Sequence, residues 1–429
     1  MKIGWATPRV ARSAIGRESI AVTDLLAKAG HDVTLIATEW ERPDGDQLHP
    51  SSARSVYWRD LAPEQMRSDF DMIVVNVGDN FLLHGGIFAL LDAAPCVGVF
   101  HDFYLHNLFR GWFVLQELGV KVAEEALVRT YGEETRQDAR LAISEALPLE
   151  TLAKTFPMTE WVGRRCIAAL AHSTFYVDRL LASCPGPVSV AALPVQPRGV
   201  EPLAHRERSK LVALTVGVMN PNKCLDRVIE ALSLEALAGR VAYRLAGPIE
   251  DDQRARLEAV AETTGFKDLT ILGPVTNDVL DQELAGADII CCLRSPVLEG
   301  ASGSAIEGLL SGRPVVVADA GFYADLPDDL VCKVPADIPI STLAASLAKL
   351  ADDEGLRRSL GERASRWATE TFRSDLYVEK LIALLDAAQA ARAALGVGGA
   401  VGAELRNLGV SQDDPSIARI GAILDGLFA

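Results

Sequence analysis

The sequence predicts an α/β protein of two doubly wound, parallel-sheet domains joined by a linker. Three observations predict it. A chain of 429 residues is longer than one hydrophobic core normally supports. Short runs of Val, Ile and Leu alternate with helix-forming stretches, in two series of similar size. Between the series stands PVQPRGVEPLAHRERSK, 194–210, rich in proline and charge and poor in periodicity, as a linker would be.

The first series opens with a strand Lys2–Thr7, a Gly-containing loop and a helix from about Arg17 to Lys28 that stops at Gly30. Strands Asp32–Thr38, Met72–Val77 and Cys96–His101 follow. They are apolar along their length instead of alternating, the mark of a parallel sheet covered on both faces. Residues 105–170 are mostly helix-forming with mixed charge, and Leu170–Ser173 and Val188–Leu193 read as further strands. The second series has strands Leu211–Val216, Val241–Ala246, Leu269–Leu272, Asp288–Leu293 and Pro314–Ala318. Helices lie between them at about 224–237, 251–263, 277–285 and 303–310. The expected division is a first domain at 1–195, a linker at 196–210 and a second domain at 211–372. A closing helix at 373–395 is expected to pack back on the first domain, and 396–429 reads as a tail with one short helix.

Forty-two Lys plus Arg against 58 Asp plus Glu give a net charge of −16, a field that repels nucleic acid and anionic lipid. A phosphate-bearing ligand must therefore be held by a local pocket of donors. The seven cysteines show no C-x-x-C spacing and read as buried small hydrophobes of a reducing compartment. No run approaches the ~20 apolar residues of a membrane span, and the N-terminus reads as a strand, not a signal peptide. The expected location is cytoplasmic, with peripheral association at the inner membrane face left open. Neither series carries G-x-G-x-x-G after its first strand, which disfavours a nicotinamide dinucleotide. Asp44-Gly45-Asp46 reads as a polar turn, no metal-ligand cluster stands out, and no cofactor is expected.

Open parallel sheets bind ligands at the carboxyl ends of their strands. Unusual residues sit there: Gly16, Asp79, His101, Asp102, Gly217, Gly247, Gly273, Arg294 and Glu299. The most specific segment is LRSPVLEGASGSAIEGLLSGRP, 293–314, in which Glu299 and Glu307 flank a small-residue turn running into a helix. Backbone N–H groups and the positive helix end make an anion site there without side-chain charge. Glu299 can accept hydrogen bonds from sugar hydroxyls, and Glu307 can take two vicinal ones. The alternative is a solvated loop glutamate plus a helix-surface glutamate.

Glu299, seven intervening residues and Glu307, with Gly312-Arg313-Pro314-Val315-Val316 after them and Ala285-Gly286-Ala287-Asp288 before, resemble the E-x7-E motif of the retaining family-four glycosyltransferases, the group 1 glycosyl transferases. The resemblance covers most of the chain. It implies the GT-B fold, two facing doubly wound Rossmann-like domains with an interdomain cleft, and a nucleotide-diphosphate sugar as donor. It assigns sugar hydroxyls to Glu299 and ribose hydroxyls to Glu307. Gly303 lies four residues past Glu299, where the family often has three, and a related subgroup with G-E-T-S-G would place Gly300 opposite its glutamate.

In GVMNPNKCLDRVIEAL, Lys223 keeps the family's lysine spacing from Gly217 and is implied to reach the β-phosphate, while Val218 stands where an arginine is usual. Arg294 is the candidate second cation, or else a structural ion-pair partner. Gly16 resembles the glycine loop that approaches the donor phosphates from the other domain. VGDNFLLHGGIFALL and VFHDFYLHNL resemble acceptor-side segments, with His101 hydrogen-bonding the transferred sugar; a structural His101–Asp102 pair is the alternative. The resemblance thus gives His101, Lys223 and Glu299 catalytic roles. The donor-binding candidates are Gly16, Asp102, Gly217, Asn220, Gly247, Val275, Ser302, Gly303, Ser304 and Glu307, with Arg294 added in place of the arginine absent at Val218. Asn80, His84 and His106 stand on the acceptor side or act as local caps.

The function so implied is retaining transfer of a hexose-type sugar to a saccharide or lipid-linked saccharide acceptor, without a divalent metal, in surface polysaccharide or glycoconjugate synthesis. The alternatives are a nucleotide-sugar 2-epimerase on the same scaffold and a non-catalytic nucleotide-sugar-binding subunit. The helix-forming insertion at 105–170 argues against the first, and intact Glu299, Glu307 and Lys223 against the second.

Overall fold

A computed structural model describes residues 1–43, 47–199, 209–411 and 414–428. The expected Asp44–Asp46 turn and most of the expected linker, 200–208, lie outside the described residues. The first sheet is built from β1 (Lys2–Thr7), β2 (Asp32–Ala37), β3 (Arg54–Tyr57), β4 (Met72–Val77), β5 (Cys96–Phe100), β6 (Ala168–Ala171) and β7 (Val188–Val190). The second holds β8 (Leu211–Val216), β9 (Val241–Ala246), β10 (Leu269–Gly273), β11 (Ile289–Cys292), β12 (Val315–Ala318) and β13 (Cys332–Val334). The strand orders are β3-β2-β1-β4-β5-β6-β7 and β10-β9-β8-β11-β12-β13, every pairing parallel. Each sheet thus reverses its winding once, between β1 and β4 and between β8 and β11, and the crevice beyond those strand ends is where such folds bind ligands.

Among the described helices, the first half carries α1 (Ala14–Lys28), α2 (Pro63–Ser68), α3 (Phe81–His84), α4 (Ile87–Ala93) and α5 (His106–Leu115). It continues with α6 (Val120–Tyr131), α7 (Arg136–Ile143), α8 (Leu149–Thr155), α9 (Thr159–Gly163) and α10 (Val177–Ser183). The second half carries α11 (Leu225–Ser233), α12 (Asp251–Thr264), α13 (Asn277–Gly286), α14 (Gly303–Leu310), α15 (Ile340–Asp352), α16 (Glu354–Thr371), α17 (Ser374–Asn407) and α18 (Pro415–Phe428). Sequence periodicity explains their seating: α11 buries Leu225, Val228, Ile229 and Leu232, one stripe at 3.6-residue spacing against its sheet. The run β4, MIVVNV, is buried at every position, as a central parallel strand must be.

Three expectations need correction. The first helix starts at Ala14, capped by the Ser13 hydroxyl, so Gly16 lies inside its first turn and not in a loop. The edge strands β3 and β13, of four and three residues, were too short to read as strands. The closing helix does not end near residue 395. α17 runs 34 residues through Gly396, Gly398, Gly399 and Gly402, and α18 follows. A glycine costs a helix about 1 kcal/mol relative to alanine, so the cluster reads as a break, but it removes no N–H and cannot stop the ladder as proline would.

The first part of α17 packs Tyr377, Leu381 and Leu385 into the core formed by Ile3, Leu26 and Leu170 of the first domain. An 18-residue window within Glu354–Asn407 has mean hydropathy 1.3 and could cross a membrane by length and composition alone; 22% of it is buried.

Candidate active site

The two switch points face one cavity of ≈ 1050 Å³. Past β4 stands Asp79, past β5 Asp102, past β8 Gly217, and past β11 Arg294, and all four line it. So do Asn80, Asn220, Lys223, Glu299, Ser302, Gly303 and Ser304. His84, His101, His106, Gly16, Gly247, Val275 and Glu307 are not part of its lining.

The second-domain side is built around two buried cations. Lys223 ends a 3-10 turn, Pro221–Lys223, directly after the β8 loop. Ser295 N–H donates to the Asn222 carbonyl at 2.9 Å, tying this turn to the loop after β11 and setting Lys223 near Arg294. The Lys223 ammonium donates to the Val216 carbonyl and, among the described residues, has no carboxylate partner. Burial, and then the like charge of Arg294, pull its pKa down to about 7. Arg294 is 7% exposed and pairs through Nε with Glu299 Oε1 at 2.8 Å; Tyr323 donates to the same oxygen at 2.6 Å. Burial would raise the Glu299 carboxyl, but Arg294 and the Tyr323 hydroxyl hold it below its usual range. The loop therefore carries an excess positive charge inside a protein of net charge −16.

Above these cations the N-terminus of α14 enters the cavity. Ser302 caps it, its hydroxyl accepting from Ala305 N–H at 3.3 Å. Gly303 has open space where a Cβ would be. The N–H groups of Gly303 and Ser304 belong to the first turn, which has no intrahelical acceptors.

The first domain supplies the opposite wall. Asp102 Oδ2 accepts from Asp79 N–H at 2.8 Å, and burial, with Glu299 adding to it, pushes Asp102 up to about 7. Asp79 in turn accepts from the N–H groups of Asn107 and Leu108 at 2.8 and 3.1 Å, anchoring the start of α5. α5 then presents Asn107, Arg110, Gly111 and Val114 to the cavity at helical spacing.

A seam of direct hydrogen bonds joins the two walls. Gly300 N–H donates to the His101 carbonyl at 2.8 Å, and the N–H groups of Phe103 and Tyr104 donate to the Leu298 carbonyl at 3.0 and 2.9 Å. The Ser173 hydroxyl donates to the Gly300 carbonyl. A Cβ on Gly300 would lie 2.6 Å from the Tyr176 hydroxyl and 3.0 Å from the His101 carbonyl. Gly300→Ala is therefore expected to force the seam apart at a cost of about 1–3 kcal/mol, typical of overpacking. A lowered melting temperature would register it, and an unchanged one would refute the close packing.

The remaining candidates have structural settings. His101 Nε2 meets Asn76 Oδ1 at 2.9 Å, while Asn76 Nδ2 donates to the Ala6 carbonyl at 3.0 Å. Because that carbonyl can only accept, the amide oxygen faces His101, whose Nε2 must carry the proton. Burial, and then His172 and His84, hold His101 neutral, well below its usual pKa. His84 donates from Nδ1 to the Asn76 carbonyl at 2.8 Å, and burial lowers it to about 4. It supports β4 from behind the cavity instead of facing an acceptor. His106 is likewise buried within α5. Asn80 both lines the cavity and caps α3, its side chain accepting from Leu83 N–H at 3.3 Å. Gly16 makes room for the Pro8 carbonyl, which a Cβ would meet at 2.3 Å; Ala14 lines the cavity instead. Gly247 has φ +150° and abuts the Gly217 carbonyl, so a side chain there would break the β8–β9 loop contact. Val275 packs with the second-domain core. Glu307 Oε1 accepts from Arg198 Nε at 3.0 Å and lies 3.7 Å from Arg17 of α1.

Residues 202–367 match the family model for glycosyl transferases group 1. The chain carries a glycosyl transferases group 1 domain. MMP alpha-(1->4)-mannosyltransferase of Mycolicibacterium hassiacum is 24% identical over 243 residues, 55% of this chain and 58% of that protein. The match thus spans little more than half the length of this curated relative. Two solved structures share the fold: sucrose-phosphate synthase (tll1590) from Thermosynechococcus elongatus, TM-score 0.61 and 15% identity over 90% of this chain and 98% of that one, and Anabaena Alr3699/HepE in complex with UDP and glucose, TM-score 0.62 and 14% identity over 90% and 99%. The fold is GT-B, and the group 1 domain is its second half.

Four lining residues were not singled out in the sequence reading, Tyr104, Asn107 and Arg110 of the first domain and Asn222 at the Lys223 turn, nor was Tyr323, which holds Glu299 from outside the cavity. The i, i+3 spacing of Asn107 and Arg110 just past the β5 strand end was the available signal. Tyr323 had none, because its contact with Glu299 is set by the tertiary fold.

Proposed function

We propose that this protein is a retaining glycosyltransferase that moves a hexose-type sugar from a nucleotide-diphosphate sugar to a saccharide or lipid-linked saccharide acceptor. The observation that carries this reading is the pair of buried cations, Lys223 and Arg294, beside the α14 N-terminus in the group 1 domain. A diphosphate supplies the missing anion. Anabaena HepE, with UDP and glucose bound, shares the fold and lends support.

In the proposed reaction the bond between sugar C1 and the diphosphate oxygen breaks first, its electrons passing to the phosphate held by Lys223, Arg294 and the α14 end. The acceptor oxygen bonds C1 from the same face, and its proton leaves on the departing phosphate oxygen. Stabilising that leaving group is the main lever, each preorganised donor being worth about 2.7–4 kcal/mol. Glu299 accepts from a sugar hydroxyl, Glu307 shares its carboxylate between Arg198 and the ribose, and Asn107 and Arg110 border the acceptor. Work at the cytoplasmic face of a membrane suits a lipid-linked acceptor.

Transfer to a saccharide acceptor from a panel of nucleotide sugars, with the product anomer read by NMR, tests the reading. Inversion at C1, or binding without any transfer, would overturn it. The phosphate charge is assigned to protein cations, so turnover after dialysis against a chelator is expected to stay nearly unchanged. Loss of activity restored by magnesium or manganese would contradict that assignment.

A further inference from the structure

A second cavity, of ≈ 480 Å³, lies between α5, α6 and the end of α9. Trp112 and Trp161 wall it, and Lys121, Arg129, Arg164 and Arg165 surround it. The Arg165 guanidinium lies 4.6 Å from the Trp161 ring centroid and 5.6 Å from that of Trp112, fixed by cation–π contact. Its Nη1 is buried without a hydrogen-bond partner. Among the described residues, Lys121, Arg129 and Arg165 form no ion pair, and Arg164 spends its donors on the carbonyls of Glu160, Arg129 and Thr130. The one acid on the rim, Glu125, is already paired with Arg136 at 2.8 Å. In a chain of net charge −16 such a concentration of cations without ion-pair partners suits an anion. Burial lowers the Arg165 pKa, with Asp92 only partly restoring it, so neutralising that charge would be favourable.

We propose that this cavity binds an anionic sugar residue, a uronate or a sugar phosphate, of the saccharide chain that enters the cleft. A carboxylate or phosphate accepts from the accessible part of the Arg165 guanidinium, with Arg129 and Lys121 beside it. The C–H face of the sugar ring lies on the half-buried indole of Trp112, whose π-face is negative. Placement supports a saccharide. α5 turns Asn107 and Arg110 to the main cavity and Trp112 to this one, so the two sites lie on two sides of one helix, about 10–12 Å across. Arg165 is only partly exposed and its guanidinium is held against the Phe88, Trp112 and Trp161 rings, a setting that suits a single carboxylate better than a flat bilayer surface. The inference rests on a saccharide acceptor, but its test is independent of transfer.

Calorimetric titration without nucleotide, using hexagalacturonate against uncharged maltohexaose, makes that test. Hexagalacturonate is expected to bind at least tenfold more tightly than maltohexaose. The double substitution Lys121→Gln with Arg129→Gln, at exposed positions that leave the fold alone, is expected to weaken it tenfold or more. Arg165→Gln is expected to do the same, with circular dichroism checking its fold. Lys223→Ala is expected to leave this titration unchanged, which separates the site from the donor cleft even if no transfer is ever observed. Equal affinity for the two oligosaccharides, or equal affinity in wild type and the double variant, would overturn the proposal. So would cofloating with phosphatidylcholine–phosphatidylglycerol vesicles that the double variant abolishes while hexagalacturonate fails to bind.

Discussion

Replacing Lys223 with alanine is expected to weaken nucleotide diphosphate binding at least tenfold, and wild-type affinity is expected to fall steeply above pH 7. The first effect follows from losing a charge-assisted hydrogen bond in a dry site, about 1.5–3 kcal/mol, or about tenfold to 150-fold. The second follows from the lysine's burial. In the unliganded protein its pKa is drawn down to about 7, so above that pH the ammonium has already given up its proton. A bound diphosphate favours the charged form and raises the pKa, so binding above pH 7 must take up a proton. Linkage then removes about a factor of ten in affinity per pH unit until the bound-state pKa is reached. Asp102, raised to about 7 by burial and then by Glu299, becomes an anion over the same range and deepens the loss. Lys223→Arg, charged throughout, is expected to retain only the Asp102 share. The useful window is pH 7 to 9, clear of the terminal phosphate's own ionisation near 6. Calorimetry in buffers of different ionisation heat counts the protons directly. A flat profile in wild type would remove Lys223 from the anion site.

The same lysine shows how far sequence reasoning reached. Its spacing from Gly217 put it at a strand end, and strand ends follow from runs such as MIVVNV and IICC that only a covered parallel strand tolerates. Local signals of that kind gave the two sheets, the α14 start at Gly303 and the gathering of Asp102, Lys223, Arg294 and Glu299 on one cavity. What escaped depends on contacts distant in sequence. Gly16 looked like a loop glycine because glycine is common in β–α turns; its actual constraint is the Pro8 carbonyl pressed against a helix turn. His84 stood as an acceptor-side candidate because its segment resembles one, with a local cap as the alternative; α3 turns its ring back onto the Asn76 carbonyl. The hydrogen bond from Tyr323 to Glu299 links positions with no shared motif, and no periodicity announces it.

Arg294 is where a phosphate role and a structural role compete, and paired substitutions are expected to separate them. Its Nε meets Glu299 at 2.8 Å in a buried setting, and breaking such a pair from one side costs about 3–5 kcal/mol because the other charge is stranded. Arg294→Ala is therefore expected to lower the melting temperature strongly, whatever else it does. Affinity measured on the folded fraction is the discriminating readout. With Lys223 alone left to face the diphosphate it is expected to fall at least tenfold, and Arg294→Lys is expected to lose much of the rate, since an ammonium cannot fork onto two phosphate oxygens. Glu299→Gln probes the same pair from the other side. It keeps an acceptor for Tyr323, removes the anion that competes for Arg294, and is expected to hold or raise nucleotide diphosphate affinity. Transfer is expected to fall, because the sugar hydroxyl loses a charged acceptor worth about 1.5–3 kcal/mol. If Arg294→Ala melts early yet binds nucleotide diphosphate as wild type does, the guanidinium only shapes the Glu299 loop. Lys223 and the α14 N-terminus would then carry the phosphate charge between them, and Val218, 59% exposed on the cavity wall, would be the place where an added arginine strengthens binding.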